Sequence, residues 1–279
     1  MYCPKISIIT PSFNQAQFIE ENIKSVLSQN YPNIEHIIID GGSTDGTLEI
    51  LKKYRHLLYI SEQDKGQSQA LNKGFKMATG EIIGWLNSDD TYCPEIFQIV
   101  AEKFGDKEVM VICGDGFEID ENGKIIRALY SIGTSQEDLI KYWKWRYQFV
   151  QPAFFFRKNV FDKVGYIDES LYYAMDCDFF IRLGKMYQFH RIEKPLANYR
   201  LHPKSKTGKH FLKFIPDYIW EMHKVSHRYW GKPTSLNYYS YLFSFLTAIV
   251  YSFFKNLFFS PTSKSRAALK RFLGKSYGV

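Results

Sequence analysis

Short β-branched runs alternate with helix-length segments through the first hundred positions of this 279-residue chain. "KISIIT" (5–10), "IEHIIID" (34–40), "LLYISE" (57–62) and "EIIGWLN" (81–87) predict strands. Between them, "AQFIEENIKSVLSQ" (16–29) and "TLEILKKYRHL" (47–57) set apolar residues at helical spacing. The strands lack polar alternation, which suits parallel strands covered on both faces, so this half predicts an open α/β sheet. Further on, "VMVICGDGFEID" and "KIIRALY" flank "ENG", a hairpin signal. "QPAFFFR" (151–157) predicts another strand, and "MDCDFFIRLGKM" (175–186) a helix entered through acids.

Composition adds a globular character, 45% hydrophobic and 23% charged, with no repeat and no low-complexity tract. Four cysteines without a CxxC pair predict reduced thiols and a cytoplasmic setting, and "MYCPKISIIT" lacks the basic and apolar blocks of a signal peptide. The net charge of +7 is uneven: from Lys204 onward, 13 Lys and Arg oppose Asp217 and Glu221, a net of +11, which leaves −4 on residues 1–203. An acidic body with a basic tail argues against nucleic acid as partner and for a tail that meets an anionic surface.

Three predicted strands end in polar stretches: "TPSFN" (10–14), "DGGSTDG" (40–46) and "NSDD" (87–90). In open α/β sheets, ligands bind beyond the carboxyl ends of the strands. Thr10 and Pro11 sit in an extended turn suited to offering backbone groups to a flat base, and Asp40 carries a carboxylate able to accept from a nucleobase N–H. Asp89 and Asp90 have two readings: N-caps of a helix starting near Pro94, or ligands for a hard cation, Mg²⁺ or Mn²⁺, that bridges a diphosphate. No GxGxxG follows the first strand, which argues against a redox dinucleotide site.

"ISIITPSFNQAQFIEENIKSVLSQNYPNIEHIIIDGGSTDGT", "DKGQSQALNKGFKMATGEIIGWLNSDD", "GYIDESLYYAMDCDFFIRL" and "LANYRLHPKSKT" together resemble the family 2 glycosyltransferases with the GT-A fold, over about residues 4–207. The resemblance implies an α/β fold whose open, mostly parallel nucleotide-binding sheet is flanked by helices. It implies an inverting, metal-dependent hexosyltransferase-like enzyme that takes a nucleotide-sugar donor, a UDP-sugar foremost, and a glycan or lipid-linked acceptor. By resemblance "NSDD" is the D-x-D signature, with Asn87 in place of the first Asp, then Ser88, then Asp89 as metal ligand. Asp40 matches the base-reading acid. The family often carries Arg where Leu71 stands, so Lys65 and Lys73 are the substitute cations. Asp176 matches the general base, with Met175 replacing the preceding Glu, while Asp178 suits a helix start paired with Arg182. His202 is a candidate for the metal or the diphosphate, Lys204 and Lys206 for a lid over phosphates, and Gln151 for an acceptor contact.

Two rivals remain at this level: a non-catalytic sugar-nucleotide-binding or membrane-adaptor protein, and a sugar nucleotidyltransferase, whose usual Gly-rich loop "TPSFNQAQF" lacks. Residues 1–207 form the predicted catalytic domain, and 208–279 a helical aromatic and basic extension. In that extension, residues 238–259 are long enough to span a bilayer, yet Ser240, Ser244, Thr247, Tyr251 and Lys255 draw a polar stripe along one helix face. With Lys264, Arg266, Lys270, Arg271 and Lys275 following, the stripe predicts peripheral attachment to the inner face of the plasma membrane; a homodimer through the same face is the competing expectation.

Overall fold

A computed structural model describes residues 3–132, 135–141, 149–206, 217–229 and 236–259. It divides into two compact units, Met1–Leu201 and His202–Val279. The first contains a nine-stranded sheet. β1 (Ile6–Ser12), β2 (Ile34–Asp40), β3 (Leu58–Ser61) and β4 (Ile82–Trp85) run parallel in the order β3-β2-β1-β4. Beyond β4 the pairing turns antiparallel at β8 (Phe154–Arg157), then continues through β6 (Val111–Ile119) and β9 (Phe189–Arg200) to β5 (Thr91–Tyr92). β7 (Ile125–Leu129) pairs with β6 as the predicted hairpin. The parallel character therefore belongs to β1–β4 and to the β6·β9 pair, and the sheet as a whole is mixed.

Both faces of this sheet are covered, as the unbroken apolar runs require. On one face Ile6, Ile8 and Ile82 join Tyr92, Phe155 and Phe97 of α4 (Ile96–Lys103) in one buried cluster. On the other, Phe75 of α3 (Gln67–Met77) stacks on Phe179 of α7 (Met175–Met186) and meets Phe156 and Trp85 edge-on. The triplet Phe154-Phe155-Phe156 alternates between these faces and is buried throughout, so three consecutive aromatics fit one short strand. Close approach is bought with glycine: a Cβ on Gly74 would lie 2.4 Å from Ile9 Cγ2, and one on Gly84 2.6 Å from the Tyr92 hydroxyl. Ile19 and Ile23 of α1 (Ile19–Leu27) pack on Ile38 of β2 with Leu51 of α2 (Thr47–Leu51).

Two expected elements are shorter than their patterns. The helix predicted over 47–57 ends at Leu51, and the strand predicted over 151–157 opens with a helical turn at Gln151–Ala153 before β8 starts. α4 begins at Ile96 with Glu95 at its N-cap and no side-chain cap, so neither Asp89 nor Asp90 caps it; β5 intervenes. The first unit also holds α5 (Gln136–Ile140) and α6 (Phe161–Val164), and the second α8 (Asp217–Tyr229) and α9 (Leu236–Phe259). Among the described residues no helix is long and apolar enough to cross a membrane.

Candidate active site

The carboxyl ends of β1, β2 and β4 open side by side, because β1 is hydrogen-bonded to both neighbours in parallel register. Thr10, Pro11 and Ser12 stand opposite Ile38, Ile39 and Asp40. Thr10 is fully buried, with its hydroxyl 3.0 Å from His36 Nε2. Burial, reinforced by His56, lowers the His36 pKa to about 3, so this imidazole is neutral. Ser12 is buried at the strand end, and its Oγ has no partner among the described residues.

Asp40 is buried and organises its own loop. Oδ2 accepts from the Ser43 amide at 2.9 Å, the Gly42 amide at 3.1 Å and the Ser61 hydroxyl at 2.7 Å, while Oδ1 accepts from the Ser43 hydroxyl. Gly42 holds φ +82°, a conformation glycine tolerates, and Gly41 leaves space that a Cβ would fill 2.9 Å from Asp64 Oδ2. The β1 and β2 loops are joined by side chains. The Asn14 amide donates to Ser43 Oγ at 2.7 Å, and the Thr44 amide returns to Asn14 Oδ1 at 2.9 Å. Asp45 Oδ2 accepts from the Ala16 amide at 3.0 Å, and Thr47 Oγ1 from the Gln15 amide at 2.9 Å. Asn14 sits at φ 53°, where asparagine is among the better-tolerated residues.

"NSDD" forms a tight turn in which the Asp90 amide donates to the Asn87 carbonyl at 3.0 Å. The Asn87 side chain uses every hydrogen-bonding position it has. Oδ1 accepts from Gln67 Nε2 at 2.7 Å and Trp85 Nε1 at 2.9 Å; Nδ2 donates to Gln151 Oε1 at 2.8 Å and Asp90 Oδ2 at 3.2 Å. Its amide thus serves the turn itself. Asp90 is buried and accepts from the Arg200 amide at 2.8 Å. Burial, and then the charge of Asp89, push the Asp90 carboxyl well above the usual carboxylate range. Ser88 is buried, whereas Asp89 is half-buried.

Asp176 lies in the first turn of α7, half-buried, with the Cys177 amide 2.7 Å from its Oδ1. Asp178 is buried and pairs with Arg182 Nε at 2.9 Å, as a helix-start acid four residues before an arginine should. Short contacts connect this turn to the strand ends. Ser68 Oγ lies 2.8 Å from the sulfur of Met175 and donates to the Leu171 carbonyl at 2.9 Å. Ser68 directly follows Gln67, which grips Asn87. Asn72, one turn along α3, brackets the preceding loop through the Ile167 carbonyl and amide, each at 3.0 Å. The start of α3 therefore joins the Asp89 turn to the Asp176 turn.

The substitute cations divide. Lys65 is exposed, whereas Lys73 forms a surface ion pair with Glu62 at 2.7 Å. Gln151 is buried between Asn87 and the Trp85 carbonyl, to which it donates at 2.9 Å. His202 is buried in the second unit, its carbonyl accepting from the Ser205 amide and hydroxyl at 3.0 and 2.8 Å. Lys204 and Lys206 lie in the turns that follow, while the rest of that basic connector, 207–209, lies outside the described residues.

Sequence reasoning missed Arg200. Its side chain is buried over the Phe18 ring, 5.0 Å from the centroid, and donates to the Asp89 carbonyl at 2.8 Å and to Glu21 at 2.6 Å. The sequence signal was limited to an arginine standing directly before the "LHPKS" connector. Asn22 was missed too; its Nδ2 donates to the Asn87 and Asp90 carbonyls at 2.8 and 3.0 Å.

Asp40 and Asp89 thus follow parallel strands on either side of β1, and a third acid, Asp176, opens a helix tied to them through α3. The chain belongs to glycosyl transferase family 2, whose model matches residues 7–165. It is 32% identical over 220 residues to an uncharacterized glycosyltransferase of Rickettsia typhi, a match covering 74% of this chain and 67% of the relative. S. aureus TarS (residues 1–349, in complex with UDP-GlcNAc) shares the fold with TM-score 0.62 at 20% identity, over 93% of this chain and 74% of that one. The mannosyltransferase PcManGT of Pyrobaculum calidifontis, in complex with GDP-Man and Mn²⁺, also superposes with TM-score 0.62, at 15% identity over 99% and 81% of the two chains. The protein is a glycosyltransferase, and its GT-A α/β fold is the one its sequence predicts.

Proposed function

We propose that this glycosyltransferase transfers a sugar, with inversion, from a nucleoside-diphosphate donor, a UDP-sugar foremost, to a hydroxyl of a glycan or lipid-linked acceptor. The observation that carries the reading is the pair of contacts, Gln67–Asn87 and Ser68–Met175, by which adjacent α3 residues join the Asp89 turn to the Asp176 turn. Asp176 acts as base: the acceptor oxygen forms its bond to the anomeric carbon as its proton passes to the carboxylate, and the bond to the diphosphate breaks. On this reading the β1 and β2 loops, with Thr10, Pro11 and Asp40, would form the floor for the base, and exposed Lys65 is the cation proposed for the phosphates.

Asp90 accepts from the Arg200 amide and Asn87, and half-buried Asp89 beside it is the carboxylate assigned to a cation, as the match to the D-x-D signature implies. Among the described residues no three acids, histidines or cysteines cluster as a metal cage. A single carboxylate fits Mg²⁺ or Mn²⁺, hard cations that take oxygen donors and that Asp89 would hold. Such a cation supplies charge neutralisation of the departing diphosphate. The +11 tail supports a place of work at the inner face of the plasma membrane.

The test is release of free nucleoside diphosphate from a panel of UDP- and GDP-sugars, with Mn²⁺ and with chelator. Release only with a divalent cation, abolished in Asp89→Ala, is the expected result. Cation-independent turnover that survives Asp89→Ala would remove the metal from the proposal, and pyrophosphate as the product would point to nucleotidyl transfer instead.

A further inference from the structure

α9 presents three distinct faces. On the first, buried Phe245 stacks on His223 of α8 at 4.7 Å and meets Trp220 edge-on at 5.4 Å. On the second, Tyr239, Phe243, Leu246 and Val250 recur at intervals of four, three and four residues and remain 61, 71, 54 and 52% exposed. The third carries Ser240, Ser244 and Thr247, the start of the stripe that the sequence marks as polar. Two of its hydroxyls are turned inward: Ser244 Oγ donates to the Ser240 carbonyl at 2.8 Å, and Thr247 Oγ1 to the Ser244 carbonyl at 2.7 Å. A hydroxyl already bonded to its own helix loses less on leaving water than a free one.

We infer that the Tyr239–Phe243–Leu246–Val250 face inserts into the interfacial layer of an anionic bilayer, with α9 lying in the membrane plane. Charge argues for lipid over a second copy of the chain. Residues 236–254 contain no charged side chain, so the flanks of an α9 seam lack the ion pairs that set partner and register in a helix dimer. Yet Lys255, Lys264, Arg266, Lys270, Arg271 and Lys275 follow it. All but Lys255 lie outside the described residues, and their sequence alone enters here. An uncharged aromatic and aliphatic face followed by a basic segment matches the double signal of reversible attachment, apolar insertion plus attraction to acidic headgroups. The inference rests on the attachment proposed above for its charge component, and it is independent of sugar transfer.

The test is flotation of the full chain with phosphatidylcholine vesicles, with and without phosphatidylserine. Phe243→Ser/Leu246→Ser should weaken partitioning to the acidic vesicles by about ten-fold or more, because two inserted apolar side chains are lost. Nucleotide affinity and oligomeric state should stay as in the parent. Parent-like binding by this variant overturns the insertion; if neutralising Lys264, Arg266, Lys270 and Arg271 then abolishes binding, attachment itself survives as purely electrostatic. A parent dimer that the double variant dissociates, with vesicle binding unchanged, assigns the face to a second copy and overturns the inference. Failure of the parent to bind either vesicle overturns attachment as well. Should the double variant not fold, Leu246→Trp reads the same point: a blue shift and quenching by brominated lipid are expected, and an unshifted spectrum on bound vesicles overturns insertion.

Discussion

The backbone N–H of Arg200 donates to Asp90 Oδ1 at 2.8 Å, so the end of β9 supports the acid next to the candidate metal ligand. The same residue's guanidinium donates to the carbonyls of Asp89, at 2.8 Å, and of Asp120, at 3.1 Å. Arg200→Gln keeps the backbone donor and withdraws the guanidinium. It should destabilise the fold by roughly 1–3 kcal/mol for each buried carbonyl left without a donor. Urea denaturation measures this, and a variant as stable as the parent would show that water replaces the guanidinium.

Asp90 should make stability depend on pH in an unusual direction. Its folded pKa is raised, first by burial and then by Asp89, so the folded chain holds a proton that the unfolded chain releases near the ordinary carboxylate pKa. Stability therefore falls as pH rises from there towards the folded pKa. Asp90→Asn lacks this dependence and should gain on the parent, without added metal, as pH rises through that window. Parallel stability profiles for the two proteins would contradict the shift.

Glu35 works in the opposite sense. Burial alone would raise its pKa, but hydrogen bonds from the Ser7 hydroxyl, the Thr79 amide, Lys5 and the Thr79 hydroxyl outweigh burial and hold it at about 2. The lowered pKa contributes about 3 kcal/mol above pH 4.5, lost as pH falls from there to about 2. Glu35→Gln should lower the melting temperature at neutral pH, with a gap to the parent that narrows through that acid range.

Asn87→Asp would restore the first acid of the family motif, yet it should impair this protein. The substituted carboxylate would face the Asp90 and Gln151 oxygens to which Asn87 Nδ2 now donates. A stability loss of about 1–3 kcal/mol is expected for buried acceptors set against one another. Calorimetric titration with Mn²⁺ and UDP should find no gain in affinity; a gain would mean that the turn reorganises around the metal.

Asp176→Asn keeps the side chain's shape but accepts no proton. Transfer should drop by about 10²–10⁴-fold while donor affinity stays near the parent's. Asp178→Asn should instead cost stability, because it weakens the pair with Arg182. Normal transfer by Asp176→Asn together with a folded but inactive Asp178→Asn would move the base by two residues.

The parallel half and α7 were legible because each is determined locally. Continuous apolar runs mark strands covered on both faces, and the 175–186 pattern matches its helix end to end. β9 was not legible: "FHRIEKPLANYR" contains exposed charges and Pro195, and its pairing with β6 shifts register around Asp115. β5, with two residues, is too short to leave a pattern. At the site, the positions of the acids could be read from strand ends, but their partners could not. Asn87 takes its hydrogen bonds from Gln67 and Gln151, distant in sequence, and the Asp40 shell includes Ser61 from β3. Hydrogen bonds of this kind follow from topology, which a single sequence encodes only through the whole fold.

The side-chain stitching between the β1 and β2 loops sets a rule for anyone who would exchange these loops with a relative's by chimaera. Ser43 and Thr44 lean on Asn14, and Asp45 and Thr47 hold the amides of Ala16 and Gln15. A loop transplanted alone from a relative would arrive without its counterpart, leaving amides and carboxylates on both sides with nothing to bind. Residues 12–16 and 40–47 are one unit of inheritance despite their separation in sequence, and they should be exchanged together.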